Sequence, residues 1–476
     1  MFPVRSRRRA RPLAWVVVAA TLMVATVGLT TSPAAAAPGS VIWAERYNGP
    51  DADLDRANAV AVSPDGSTVF VTGYFYSPVT AYDYGTVAYD AATGVVRWAR
   101  RYNGPPSDPD LGSVSEANDI EVSPDGSRVF VTGVSDKTTD QDYATIAYDT
   151  SSGATLWTKR YDGPASGDVA YALGVSPNGA KVFVTGWSHG STTNRDYSTV
   201  AYAASDGARS WVQRYDTVGD DVATALGVSP DGSTIFVSGY SRLPSASYDY
   251  ATVAYDAGTG AQRWVRRYND PIGSADQASA VGVSPDSSTV FVTGYSYQST
   301  TEHDYTTIAY DAMTGARRWL KLYDGPGGAT DFATALAVSP DGSSVFVTGQ
   351  DYSYATGYDY GTVAYDASTG ARLWAKRYAG TGSTRDEASD VGVTPDGSIV
   401  IVTGYSYRST TSNDYTTIAY DAGSGSTLWS KRYDGPARLP DVANALDVSA
   451  SAAFVTGYSY TRSGETDYAT VAYALT

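Results

Sequence analysis

Short apolar segments alternate along this chain with clusters of Gly, Pro, Asp and Ser, and within each segment the hydrophobic positions recur every second residue. Residues 57–63 read Ala-Asn-Ala-Val-Ala-Val-Ser, and 68–73 read Thr-Val-Phe-Val-Thr-Gly. Residues 83–89 read Asp-Tyr-Gly-Thr-Val-Ala-Tyr, and 95–102 run through Trp98. β-Branched and aromatic residues in alternation, bounded by turn formers, predict four strands. The set of four returns along the chain, marked by Trp43, Trp98, Trp157, Trp211, Trp264, Trp319, Trp374 and Trp429 at intervals of 53–59 residues. One supersecondary unit copied eight times predicts an all-β fold, an eight-bladed β-propeller of four-stranded antiparallel blades.

Side-chain size orders the strands within a blade. One parity of the first segment is nearly always Ala or Gly (Ala57, Ala59 and Ala61; Ala170, Ala172 and Gly174), as needed where blades crowd near the axis. The Trp segment suits the opposite edge, where blades diverge and volume must be filled. The chain opens with a lone Trp strand at 41–47 and ends with a third-type strand at 467–473. The N-terminal strand is therefore expected to complete the eighth blade and close the ring, removing two open edges.

Composition changes the picture mainly at the N-terminus. Arg5, Arg7, Arg8, Arg9 and Arg11 precede an apolar run, and Ala34, Ala35 and Ala36 offer a small-residue cleavage pattern. Residues 1–36 are read as a signal peptide, leaving 37–476 as a single secreted, extracellular propeller. Loss of those five arginines takes the formal charge from −16 to −21. Such a chain repels phosphate backbones and anionic lipid, so neither nucleic acid nor, after cleavage, a membrane is an expected partner. The absence of cysteine excludes disulfides and thiolate metal sites. A monomer is expected.

Loop lengths separate the two faces of the disc. From the third-strand Tyr to the next Trp the spacing is always nine residues, and most first and second strands are joined by a short turn such as Ser63-Pro64-Asp65-Gly66. That face is clipped. On the other face the outer-to-inner loops run from seven to fourteen residues, and the second-to-third connections are rich in Tyr, Ser and Thr. A ligand is expected there, with Trp187, His189, Tyr295, Tyr297, Tyr405 and Tyr407 as candidate contacts. Asp83 and its seven counterparts open the third strands, and Asp55 and six counterparts precede the inner strands. These are read as loop-pinning acceptors, with a crown of cation sites as the functional alternative. Asp119, Glu121, Asp390 and Asp447 place carboxylates on inner strands where sister units carry Ala or Gly. They are the candidate metal ligands, and Ca2+ is the ion they would suit. No cofactor and no catalytic residue is expected, because Ser, His and Asp combinations carry no signal in a chain so rich in Ser and Asp.

The residues Ala88, Asp90, Thr93, Gly94 and Trp98 form the pattern Ala-x-Asp-x-x-Thr-Gly-x-x-x-Trp, repeated in full up to Trp264, Trp319 and Trp374. This resembles the tryptophan-docking repeat of the pyrroloquinoline-quinone (PQQ)-type propellers. Val-Thr-Gly-Tyr-Ser at 292–296 and 402–406 is similar to the SBBP type of secreted bacterial propeller repeats. The resemblance implies the scaffold. The quinone enzymes of that family stack their cofactor on a Trp, often against a vicinal disulfide, and here there is no cysteine and only Trp187 lies outside the docking set in the mature chain. The expected function is that of a secreted, non-catalytic scaffold binding a protein or polysaccharide through its long-loop face. The alternative is a propeller enzyme, either a PQQ-dependent oxidoreductase or a carboxylate-based hydrolase or lyase.

Overall fold

The computed structural model describes residues 36–475, except 52, 105–112, 138–139, 191–193, 244–246, 271–272, 299–300, 381–384 and 411. The predicted signal segment thus lies, up to residue 35, outside the described residues. Every regular element among the described residues is a β-strand, 32 in all. The strands form antiparallel sheets of four in the order inner, second, third and outer, as in Asp168–Val175, Lys181–His189, Arg195–Ala203 and Arg209–Tyr215. A short parallel bridge, Ala81 to Ser113 and Tyr82 to Val114, links two neighbouring sheets. The N-terminal strand Val41–Tyr47 pairs antiparallel with Thr466–Ala474, as the terminal pattern predicts. Thirty-two strands fit eight blades.

The inner strand carries a bulge in every unit, as between Ala57 and Ala59 or Ala170 and Ala172. The bulge brings inner backbone over the Gly of the Val-Thr-Gly segment. A Cβ on Gly73 would lie 2.0 Å from the Arg56 carbonyl oxygen, and one on Gly186 would lie 2.0 Å from that of Val169. Only glycine fits beneath so close an approach.

Sheets pack face to face through three repeated devices. At the outer edge the indole Nε1 of seven docking tryptophans donates to a turn carbonyl of the next sheet at 2.8–3.3 Å, as Trp43 does to Ala91 and Trp264 to Ala312. The ring lies on the Gly that ends the Asp-x-x-Thr-Gly turn: a Cβ on Gly94 (φ +74°) would meet Trp43 at 2.8 Å. Trp429 packs in the same way on Gly39, although its Nε1 has no partner among the described residues. In mid-sheet, the buried third-strand tyrosine of each unit donates its hydroxyl to a backbone carbonyl of the next sheet at 3.0–3.3 Å. The series runs from Tyr84 onto Ala144 through to Tyr468, which reaches Gly85. At the inner edge the bulge residue crosses over: Asn58 donates to the Ala117 carbonyl at 2.9 Å and Asn444 to that of Ala57 at 2.7 Å.

The second and third strands run further than their sequence pattern predicts. Thr68–Ser77 and Ala81–Asp90 stay in register out to Ser77 and Ala81, so the Tyr-rich connections are largely hairpin ladder. Aromatic cross-strand pairs extend them, as between Tyr76 and Tyr82, whose ring centroids are 5.4 Å apart. His189, Tyr295, Tyr297, His303, Tyr405 and Tyr407 accordingly sit on strands and not in loops.

Candidate functional site

The four inner-strand carboxylates serve the backbone. An inner strand exposes one edge, and its unpaired N–H groups need acceptors. Asp119 accepts from Leu173 N, Glu121 from Val175 N, Asp390 from Leu446 N and Asp447 from Val62 N, each at 2.8 Å and each across to the next sheet. Asp119, Asp390 and Asp447 also accept the N–H of the residue that follows them. Burial pushes Asp119 up to about 6, Glu121 up to about 8 and Asp390 up to about 7, with neighbouring carboxylates adding to the rise in the last two. None of these four belongs to a group of three acidic side chains within mutual ligand reach among the described residues. Where the eighth unit's turn is shortened, a depression of about 490 Å³ opens beside Asp447, walled by Ser63, Pro395 and Ser449.

The aspartates before the inner strands pin their loops. Asp55 accepts from Gly49 N and Tyr76 N, Asp331 from Gly325 N and Tyr352 N, and Asp386 from Gly380 N and Tyr407 N. Seven of the eight third-strand aspartates, all but Asp304, instead meet an arginine of the outer strand, as in Asp142–Arg160 at 2.6 Å, Asp249–Arg267 at 2.7 Å and Asp83–Arg101. Asp467 pairs with Arg46 of the N-terminal strand at 2.8 Å.

The third unit departs from the repeat. Its bulge residue is Tyr171, where sister units place Asn58, Asn118, Thr224, Thr334 or Ser389, each bonded to the next sheet's carbonyl. A phenol ring is too long for that short crossing, and Tyr171 turns outward, 40% exposed. Its hydroxyl lies 3.4 Å from Trp187 Nε1. Trp187 is itself buried, with the Arg195 guanidinium 4.6 Å over its ring and His189 edge-on at 5.2 Å. Trp187 therefore supports the surface and Tyr171 presents it. Tyr171, Tyr240, Val222, Asn118 and Thr224 line an open depression of about 360 Å³ beside the inner strands. Sequence reasoning singled out Trp187 and His189 but missed Tyr171; the signal was an aromatic among the short polar residues of its alignment column.

The remaining candidates are divided between two other places. Tyr295, Tyr297 and His303 form a half-buried aromatic group with Phe332, with centroids 4.7–5.4 Å apart, and burial holds His303 below its ordinary value. Tyr405 and Tyr407 are half-buried in the seventh unit and join neither group. On the clipped face, clefts of about 300 Å³ and 270 Å³ lie between successive turns, lined by equivalent residues such as Arg97 and Arg318. They belong to the repeat.

Solved structures share the fold. The Dos1 propeller is similar over 91% of this chain and 96% of its own, at 12% identity and a TM-score of 0.59. Sqt1 from Chaetomium thermophilum, bound to the N-terminus of the ribosomal protein L10, is similar over 90% of this chain and 98% of its own, at 13% identity and a TM-score of 0.57. BamB from Moraxella catarrhalis covers 91% of this chain with 99% of its own, at 14% identity and a TM-score of 0.49. No curated protein sequence matches the chain. The family model described as outer membrane protein assembly factor BamB matches residues 83–338 and 306–467. That span is well over half of the chain, which therefore belongs to the BamB-like family of PQQ-type propeller repeats.

Proposed function

We propose that the chain is an exported eight-bladed propeller, its ring closed by Val41–Tyr47, that acts without catalysis by binding a polysaccharide or protein through the face bearing Tyr171. The observation that carries this reading is the break in the repeat at the third unit. There an inter-sheet hydrogen bond gives way to an exposed ring over a buried indole, beside an open depression with an amide and a hydroxyl in its wall. A flat aromatic with adjacent polar groups suits a sugar ring or an extended peptide, because it offers large contact area with few torsions to freeze. The structure of Sqt1 with a ribosomal-protein N-terminus supports the peptide arm, since it shows that a propeller of this fold can hold a polypeptide segment.

The test is a glycan array and a peptide array probed with the purified protein and with Tyr171→Ala. Binding on one array, weakened roughly tenfold or more by the substitution, is expected. Silence of the parent on both arrays, or binding indifferent to the substitution, would sink the proposal. Addition of PQQ with Ca2+ is expected to produce no dye reduction; turnover would move the reading to the oxidoreductase.

A further inference from the structure

The fifth unit lacks the arginine that balances its third-strand aspartate. Leu322 occupies the ladder position opposite Thr306, where Arg101 stands opposite Gly85, Arg160 opposite Ala144 and Arg214 opposite Ser198. The leucine is exposed. Asp304 is nonetheless as buried as its counterparts, with 4% of its surface accessible. Its Oδ2 accepts from Thr301 Oγ1 at 2.8 Å, and its Oδ1 has no hydrogen-bond partner among the described residues.

Two more carboxylates converge on it. Ligand oxygens of Asp304, Asp324 and Asp331 lie within 4.8 Å of one another. Asp142, Asp196 and Asp414 head three similar groups, but there Arg160, Arg214 and Arg432 bond the central carboxylate at 2.6–2.7 Å. Among the described residues no basic group pairs with any member of the fifth-unit cluster. The nearby Arg377 is engaged by Asp351 and Asp359.

We propose that Asp304, Asp324 and Asp331 bind one divalent cation, Ca2+ by its preference for oxygen, in place of the guanidinium that the other units carry. Ca2+ takes oxygen ligands at 2.3–2.6 Å, so donors on one ion stand no more than about 5 Å apart. The cluster meets that limit. Asp324 is exposed and opens the site to solvent, while Asp331, already held by Gly325 N and Tyr352 N, offers its remaining lone pairs from a fixed position.

Tb3+ titration of the full chain tests this, because emission sensitised by Tyr305 and Tyr323 reports an ion bound beside them. One saturable site per chain, displaced by Ca2+, is expected. Leu322→Arg restores the guanidinium and should weaken binding at least tenfold while leaving the thermal transition in place; Asp304→Asn should also abolish binding. Should Asp304→Asn fail to fold, Leu322→Arg decides alone. Absence of saturable emission from the parent, or equal binding by Leu322→Arg, would overturn the assignment.

Discussion

At the outer rim the sheets are joined by an indole, its tilted contact with a tyrosine ring and one N–H donation, whereas at the inner edge they are joined by amides, hydroxyls and carboxylates reaching across to backbone. The rim is nearly the same eight times over: Trp98 and Tyr148, Trp264 and Tyr310, and Trp374 and Tyr420 of the next sheet have ring centroids 6.0 Å apart, each indole resting on a glycine of the next turn. The inner edge varies from unit to unit, with Asn58, Tyr171, Thr224 and Ser389 in one position and Ala59, Asp119 and Asp390 in another. Apolar packing tolerates little change in shape, while a hydrogen bond to a carbonyl can come from any short polar group. The rim therefore holds the molecule together, and the inner edge has room to differ.

The comparison can be broken in order of effect. Deleting residues 38–48 removes the outer strand from Thr466–Ala474 and the Gly39 contact of Trp429 together. Loss of the parent's cooperative melting transition is expected, and a truncated chain that melts like the parent would show that the N-terminal strand is dispensable. Trp319→Ala leaves a cavity against Phe291 and Tyr365 and should cost about 3–5 kcal/mol in denaturant unfolding. Asn444→Ala removes only the 2.7 Å crossing to Ala57 and should cost about 0.5–1.5 kcal/mol. Equal losses from these last two would erase the distinction between rim and inner edge.

The smallest effect is on pH. A carboxyl whose pKa is higher in the folded than in the unfolded chain binds its proton more tightly when folded. Its contribution is full below the unfolded value and is lost as pH rises through the folded one. Glu121 and Asp276 at about 8 and Asp390 at about 7 place that loss between roughly pH 4.5 and 8. The melting temperature should fall from pH 5.5 to pH 8, and Glu121→Gln should flatten the slope by removing the share of that one inner-edge carboxylate. A melting temperature that rises over this interval would contradict the sign.

Much of this was legible in the alternation of residue types. The strand order, the small inner residues, the outer tryptophans and the pairing of the terminal strands all follow from where volume is scarce and where it must be filled. The hairpin extensions were not, because Tyr, Ser and Thr read equally as loop or as exposed ladder until cross-strand partners such as Tyr297 and His303 are in place. The mid-sheet tyrosine bonds were also hidden, since Tyr84 and Tyr82 look alike in sequence and only one points into the next sheet. The missing arginine was readable: Asp83, Asp142, Asp196, Asp249, Asp359 and Asp414 each have Arg 18 residues on, and Asp304 has Leu322. The convergence of Asp324 and Asp331 on Asp304 needed the path of the loop.

The confinement of the indoles to the rim has an optical consequence. Eight of the nine described tryptophans sit in nearly one environment and will emit together, reporting the loss of sheet-to-sheet contact as a single signal. Trp187 stands apart, beneath Arg195 and beside Tyr171. A fluorescence change at constant fold is thus a one-residue readout of the third-unit surface, and Trp187→Phe would silence it while leaving the unfolding signal intact.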